Sequence, residues 1–185
     1  MLLQANYYFD IETTGLKENE DKIITIQYQK LDLFTGKPIG NLIIWKEWES
    51  SEKEILRNFV YHLQIGINKD VWNFVPTGFN LSFEHKFLKA KSIKYGFPEF
   101  DIINKPALDL KTIGVIMNQG QFRGASLDNL TGKKGNGVLV VEYYKNKEYD
   151  KIIQYIEQES KEFLKFNSYL YQEMPKLLAQ FKQII

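Results

Sequence analysis

The order of apolar and polar positions predicts a sheet that starts close to the N-terminus. Residues 7–16 place aromatic and β-branched side chains around two acids, and residues 22–31 alternate between apolar and polar, which is typical of half-buried strands. Turn residues follow at 36–38, and residues 39–45 form a third apolar run. These segments predict three strands in an antiparallel meander.

Helical spacing dominates from Ser51 onward, where Ser51 and Glu54 match a capping box. The predicted helices cover residues 52–65, 82–95, 111–118, a short segment from 126, 147–166 and 168–184. The two further strands are predicted over residues 71–79 and 107–110. A glycine-rich stretch over 132–137 predicts a flexible loop. The last two helices are expected to separate near Asn167, and Pro175 predicts a kink or a restart within the last one. The pattern predicts an α/β fold of one domain over residues 1–185, with a sheet of mixed direction flanked by helices.

Composition narrows the class of protein. The chain has 185 residues, 44% apolar and 25% charged, which suits a globular fold and excludes a disordered one. Without cysteine there is no disulfide, zinc–thiolate site or thiol nucleophile. No apolar run approaches the ~18 residues of a membrane span and no signal-peptide pattern precedes the first strand, so a cytoplasmic protein is expected.

Charge alone does not identify a partner, since the net charge is only +1. Lysines nevertheless gather in two places, where they either contact phosphates or form ordinary solvated faces. These groups are Lys86, Lys89, Lys91 and Lys94, and Lys133, Lys134, Lys145 and Lys147.

The first strand carries the candidate chemistry. Asp10 and Glu12 are two residues apart, so a strand places both carboxylates on one face. Two acids on an interior strand are costly unless a cation lies nearby, and carboxylate oxygens are the ligands that Mg²⁺ and Mn²⁺ prefer. We therefore interpret this strand as part of a metal-dependent nuclease, with an exposed edge bearing solvated acids as the alternative.

Three motifs in order resemble the DEDD superfamily of 3′–5′ exonucleases, the proofreading group with a ribonuclease-H-like fold. The first is Asp10-Ile11-Glu12-Thr13-Thr14-Gly15-Leu16. The second is Asn80-x-x-Phe83 followed by Glu84, and the third is Tyr155-x-x-x-Glu159. The third motif fits the tyrosine subtype, because Gln154 stands where the histidine subtype has its base. Glutamate replaces the family's aspartate at positions 84 and 159.

The resemblance implies a fold, a site and a reaction. It implies a ribonuclease-H-like sheet and two divalent ions, Mg²⁺ or Mn²⁺. The implied metal ligands are Asp10, Glu12, Glu84 and Glu159. Tyr155 would orient the attacking water, and the implied substrate-binding residues are Thr13, Thr14, Leu16, Asn80 and Phe83. The expected activity is a two-metal 3′–5′ exonuclease that releases nucleoside monophosphates from single-stranded or frayed DNA or RNA, with proofreading or repair supplied in trans.

Alternatives remain open for several of these positions. The two glutamates leave room for a weak or inactive domain that binds nucleic acid or protein, and the fold also suits an internally cutting nuclease. Glu84 suits the first turn of any helix, and Tyr155 suits a packed ring with a wet hydroxyl. Asp150 and Glu157 are alternatives to Glu159 as the last ligand, although Glu157 would point away from Tyr155. Asp109 and Asp128 are interpreted as a loop hydrogen-bond acceptor and a first-turn helix acid.

The end of the chain predicts a wide apolar helix face. Its members are Leu170, Met174, Leu177, Leu178 and Phe181. Docking of this face on the sheet is favoured, and a homodimer through it is the alternative.

Overall fold

A five-stranded mixed sheet forms the centre of the computed structural model, which describes residues 4–67, 70–132 and 137–184. The strands are β1 Asn6–Thr13, β2 Ile23–Leu31, β3 Pro38–Lys46, β4 Val75–Gly78 and β5 Leu108–Asp109. Their order across the sheet is β3-β2-β1-β4-β5. The first three pair antiparallel, whereas β4 runs parallel to β1 and β5 runs parallel to β4. The predicted meander and mixed sheet are confirmed.

Helices cover both faces of this sheet. They are α1 Glu52–His62, α2 Ser82–Tyr95, α3 Leu110–Met117, α4 Leu127–Thr131, α5 Val138–Lys145 and α6 Tyr149–Ile184. The predicted cap of α1 is present, because the Ser51 side chain accepts a hydrogen bond of 3.2 Å from the Glu54 amide. The fold class inferred from the sequence, α/β with a helix-flanked mixed sheet, is therefore confirmed.

The alternation of β1 distributes its side chains between two cores. Phe9 and Ile11 belong to a large cluster with α1 and α2, where the Phe9 ring stacks on Phe59 at 5.2 Å between centroids. Tyr8 faces the other side and packs on Phe163 of α6, with 4.8 Å between ring centroids. Burying large aromatic groups on both faces fixes β1 between two helical layers.

Two predictions about element boundaries are wrong. Only Val75–Gly78 of the predicted strand over residues 71–79 is extended and paired. The break expected near Asn167 is absent, and α6 continues through both Asn167 and Pro175. Asn167 is completely buried and its side-chain amide donates a 2.8 Å hydrogen bond to the Gly36 carbonyl oxygen. The polar side chain therefore fastens the helix to the β2–β3 turn and does not end it.

The helix α5 was not predicted. The flexible loop predicted over residues 132–137 is described only at its two ends, because residues 133–136, and with them Lys133 and Lys134, lie outside the described residues. Val140 of α5 is buried in a cluster with Ile152 and Ile156 of α6. The same cluster contains Ile24 of β2, so α5 packs beside the sheet near the end of β1.

The favoured docking of the C-terminal apolar face is wrong beyond Leu170. Leu170 is buried, whereas the other members of the face are between 43% and 57% exposed. Those members are Met174, Leu177, Leu178 and Phe181. The homodimer through this face stays a prediction. None of the helices in the described ranges combines the length and the apolar character that crossing a bilayer requires.

Candidate active site

The acids of β1 lie where the sheet opens. Pairing between β1 and β4 runs only from Asn6 to Tyr8, so Asp10 lies beyond the last paired position. After Gly78 the chain leaves the sheet and turns into α2, whose first turn carries Glu84. A Cβ at Gly78 would come within 2.9 Å of the Phe9 carbonyl oxygen, so this close approach requires glycine. The end of β4 thus brings α2 against the carboxylates of β1.

Three carboxylates from two elements converge at this point. Among the described residues, Asp10, Glu12 and Glu159 each offer an oxygen, and these oxygens all lie within 4.8 Å of one another. Asp10 and Glu12 come from one face of β1 and Glu159 from α6, and all three side chains are half-buried. The predicted acids at 10, 12 and 159 are therefore close enough for one cation to contact all three.

Glu84 reaches the cluster through Asp10. The two side chains share a hydrogen bond, which two carboxyl groups form only when a proton lies between them. Burial, followed by the charge of Asp10, raises the pKa of Glu84 well above 4.5. Burial and then the charge of Glu159 raise the pKa of Asp10 from 3.8 to about 7. Oε2 of Glu84 is buried and has no hydrogen-bond partner among the described residues.

A buried amide that the sequence analysis missed supports Asp10. Gln27 lies directly opposite Asp10 in the β1–β2 register, and its Nε2 donates a 3.0 Å hydrogen bond to Asp10 Oδ2. Thr25 Oγ1 donates to Gln27 Oε1 over 2.9 Å, which fixes the orientation of the amide. Both side chains are fully buried. The available signal was weak, because a polar residue in an alternating strand reads as a solvent-facing position.

Tyr155 contacts the same cluster from α6. Its hydroxyl is hydrogen-bonded to the Glu159 carboxylate, one helical turn away. Burial, followed by the charges of Glu159 and Glu12, raises the pKa of Tyr155. The side chain therefore remains a neutral phenol that donates to a carboxylate. Its ring is partly buried against the cluster of Val140, Ile152 and Ile156, so the packed-ring interpretation describes the ring and the hydroxyl adds the contact with Glu159.

Four of the predicted substrate-binding residues line one cavity beside Glu12. This cavity, the Leu16 pocket, has a volume of about 600 Å³. It is lined by Thr13, Thr14, Leu16 and Phe83, and on its other side by α5 residues that include Val138 and Val141. Leu16 is 83% exposed at its mouth, whereas the Thr13 hydroxyl donates to the Gly15 carbonyl oxygen over 2.6 Å. The pocket therefore combines the exposed apolar side chain of Leu16 with a turn that the Thr13–Gly15 hydrogen bond stabilises.

The turn that carries Leu16 is fixed by Asp21. The Asp21 carboxylate accepts hydrogen bonds from Thr14 Oγ1 (3.3 Å) and from the Lys17 amide (2.9 Å). A Cβ at Gly15 would come within 2.4 Å of the same carboxylate, so a larger residue there would displace it. The glycine of the first motif thus leaves room for the Asp21 carboxylate and its hydrogen bonds to Thr14 and Lys17.

A buried ion network holds this turn from below. The Lys91 ammonium donates to the Asp21 carbonyl oxygen and lies 3.5 Å from Glu52 Oε1. Glu52 also accepts from the Ile23 amide (2.8 Å) and from the Tyr95 hydroxyl (2.6 Å). Burial opposes ionisation of Glu52, but these hydrogen bonds and the nearby lysines lower its pKa overall. Lys91 is therefore a structural cation and is not available to substrate phosphates.

Asn80 is separated from the other predicted substrate-binding residues. Its backbone is left-handed (φ 73°), and its amide donates over 2.8 Å to Asp109, which also accepts from the Leu81 amide (3.0 Å). The Asn80 side-chain oxygen accepts a 2.8 Å hydrogen bond from Lys111 Nζ. Asp109 acts as the loop acceptor that the sequence predicted.

Asn80 lines a second cavity, the Phe122 pocket, of about 370 Å³. Its wall includes Tyr8, Asp10, Lys111, Phe122, Asp128 and Glu159. Asp128 lies in the first turn of α4, as the sequence predicted. The structure therefore divides the predicted substrate-binding residues between two cavities.

The two alternatives for the last acid lie outside the group of three. Asp150 and Glu157 are both exposed on α6, whereas Glu159 is half-buried beside Asp10. The helix turns Glu157 away from Tyr155, as its position in the sequence indicated. Position 159 is thus the α6 acid that meets β1.

Comparisons with known proteins agree with this architecture. The sequence model of a family described as RNase_H superfamily matches residues 7–158. Among solved structures, E. coli exonuclease I in complex with a 5cy-dA13 oligonucleotide superimposes with a TM-score of 0.55 at 12% identity, covering 72% of this chain and 36% of that chain. A structure described as an ExoI/SSB-Ct complex gives a TM-score of 0.53 at 11% identity, covering 70% of this chain and 36% of that chain.

These likenesses extend to the fold alone, because the identities are 11–12%. The chain spans 36% of the length of those solved chains. No curated protein sequence matches it.

Proposed function

The chain belongs to the RNase H superfamily, and on that premise we propose that it is a metal-dependent 3′–5′ exonuclease that releases nucleoside monophosphates from single-stranded or frayed 3′ ends. The observation that carries the proposal is the meeting of Asp10, Glu12 and Glu159 within 4.8 Å beside a cavity. The fold shared with exonuclease I structures supports it, as does the oligonucleotide bound in one of them.

The residues present fit divalent cations. All the donors are carboxylate oxygens, which suit Mg²⁺ or Mn²⁺. The buried Glu84 carboxyl has an oxygen without a partner, and the raised pKa values of Glu84 and Asp10 reflect charge that a cation would neutralise. We assign Asp10, Glu12, Glu84 and Glu159 as the groups that hold two ions. Such ions supply Lewis acidity for water activation and offset the charge that develops on the departing 3′ oxygen.

The protein's own side chains position the reactants. Tyr155 is neutral and donates to Glu159, so its oxygen lone pair is left to accept a hydrogen bond from the attacking water and orient it. Gln27 holds the Asp10 carboxylate in one orientation. The 3′-terminal nucleotide occupies the Leu16 pocket, where Thr13, Thr14, Leu16 and Phe83 contact it.

A catalytically weak or inactive binding domain is the second candidate. It is favoured by Glu84, whose carboxyl is occupied by a hydrogen bond to Asp10 and lies outside the group of three convergent acids. Glutamate has one methylene more than the aspartate of the resembled family, so the carboxylates at positions 84 and 159 are displaced. A displacement of roughly 1 Å can cost about a hundredfold in rate.

The deciding experiment follows a 5′-labelled single strand, as DNA and as RNA, with Mg²⁺ and with Mn²⁺. We expect a ladder that shortens from the 3′ end, absent in Asp10→Asn and retained in Glu157→Gln, whose side chain is exposed on α6 away from the cluster. A circular single strand should remain intact, because it has no end. Cutting of the circle would indicate an endonuclease, and retarded but undegraded oligonucleotide would indicate the binding domain.

A further inference from the structure

The Phe122 pocket lies on the other side of the carboxylates from the Leu16 pocket. Residues Tyr8–Asp10 of β1 line the Phe122 pocket, and the residues that follow, Ile11–Leu16, line the Leu16 pocket. Glu159 lines the former and Glu12 the latter, so the three convergent acids stand at the boundary between the two cavities. A phosphate held by cations at these acids would therefore have a cavity on either side.

From this arrangement we propose that the Phe122 pocket binds the nucleotide that precedes the 3′-terminal one, with its base stacked on Phe122. The inference rests on the proposed function. A phosphodiester joins two nucleosides, and when the terminal one occupies the Leu16 pocket, the nucleoside carrying the departing 3′ oxygen lies on the side of the Phe122 pocket. The volume of about 370 Å³ is within the range of about 300–1,000 Å³ that small-molecule sites have.

The lining of the pocket suits a nucleotide. Phe122 is 77% exposed and presents its ring to solvent beside the cavity. Exposed aromatic rings are the platforms on which unpaired bases stack without regard to sequence. Lys111 is the single basic side chain that lines this pocket in the described part of the chain, and its ammonium donates to Asn80 Oδ1 over 2.8 Å. A cation in this wall suits the phosphate of a bound nucleotide.

A second observation points to a polar ligand. Tyr8 lines the cavity with only 2% of its surface exposed, and its buried hydroxyl has no hydrogen-bond partner among the residues described. A buried hydroxyl without a partner is destabilising, and a sugar or base oxygen that enters the pocket would satisfy it. A side chain that only filled the core at position 8 would not need the hydroxyl group of a tyrosine.

The test pairs a protein substitution with a substrate deletion. Wild type and Phe122→Ala are each assayed with a single strand and with the same strand carrying an abasic residue next to the 3′ end. We expect the abasic residue to lower kcat/KM about tenfold for wild type and less than twofold for Phe122→Ala. Phe34→Ala is the matched control, because Phe34 is equally a surface phenylalanine (87% exposed) that lines neither cavity, and it should behave as wild type. Phe122→Trp, which keeps an aromatic face, should also behave as wild type.

The result that would overturn the proposal is an abasic effect of the same size in wild type and Phe122→Ala. The proposal would also be overturned if Phe122→Ala reduced the abasic effect on kcat/KM equally when the abasic residue lies five positions from the end. Stacking on Phe122 would then not be specific to the nucleotide that precedes the terminal one. If wild type degrades neither strand, the proposed exonuclease activity fails, and the affinities of the same strands, measured by fluorescence anisotropy with Ca²⁺, decide the question of the pocket. Equal affinities of wild type and Phe122→Ala for the unmodified strand would then refute it.

Discussion

Replacing Asp10 by asparagine should stabilise the metal-free protein at alkaline pH. The Asp10 carboxyl has a pKa of about 7 in the folded protein, against 3.8 as its ordinary value, because burial and Glu159 oppose its ionisation. A raised folded-state pKa favours the fold below pH 4, where the group is protonated in both states. This contribution is lost as the pH rises through 7, since the folded protein must then ionise a carboxyl that resists ionisation. Asparagine is neutral at every pH and retains an oxygen that can accept from Gln27.

The size of the effect follows from the shift. A rise of about three pKa units corresponds to about 4 kcal/mol at 1.36 kcal/mol per unit, which is a ceiling. Part of this cost is already relieved in wild type, because Glu84 shares a hydrogen bond with Asp10. We therefore expect Asp10→Asn to raise the free energy of unfolding by about 2 kcal/mol at pH 8. In a protein of this size that corresponds to roughly 4–8 °C in Tm.

Thermal unfolding followed by circular dichroism in EDTA, at pH 8 and at pH 4, measures this gain. We expect Asp10→Asn to melt above wild type at pH 8 and with it at pH 4, whereas Glu157→Gln should track wild type at both. Saturating Mn²⁺ should reverse the order at pH 8, because wild type, with all four carboxylates, gains more binding free energy than the variant. A metal-free Asp10→Asn protein that melts below wild type at pH 8 would refute the reasoning from clustered acids.

Three further substitutions test the supports of the site. Gln27→Leu removes the amide that holds Asp10 and should weaken Mn²⁺ affinity about 10- to 100-fold, measured by titration calorimetry; unchanged affinity would mean that the amide only fills space. Tyr155→Phe should lower kcat about a hundredfold with KM nearly constant in a steady-state oligonucleotide assay, because the hydroxyl proposed to orient the attacking water is lost together with its hydrogen bond to Glu159; a change confined to KM would contradict that role. Glu52→Gln leaves Lys91 buried without its counter-charge and should cost about 3 kcal/mol in urea unfolding, and a loss below about 1 kcal/mol would show that water compensates.

The part of the site that the sequence predicted is the part encoded by local spacing. Asp10 and Glu12 share a face because strands alternate, and Tyr155 and Glu159 meet because a helix returns to the same face after four residues. That Glu159 reaches Asp10 depends on how α6 packs on the sheet, which periodicity does not contain. The resemblance to a family supplied that step.

The missed features are long-range contacts of polar residues. Gln27 reads as an ordinary polar strand position, and only pairing across β1 and β2 reveals that it faces Asp10. Asn167 has low helix propensity and was interpreted as a break, but a buried hydrogen bond to the turn at Gly36 outweighs propensity. Lys91 was counted with a basic surface although it is buried against Glu52. In each case tertiary context decided the role of the residue.

The salt bridge between Lys91 and Glu52, beneath the turn at Asp21, makes one wall of the Leu16 pocket rigid. Because Lys91 joins the interior of α2 to the segment that presents Leu16, this wall of the Leu16 pocket cannot move away from α2 unless a buried charge pair separates. Under the proposed function, we therefore expect substitutions in this charge pair to raise KM for an oligonucleotide more than they lower kcat.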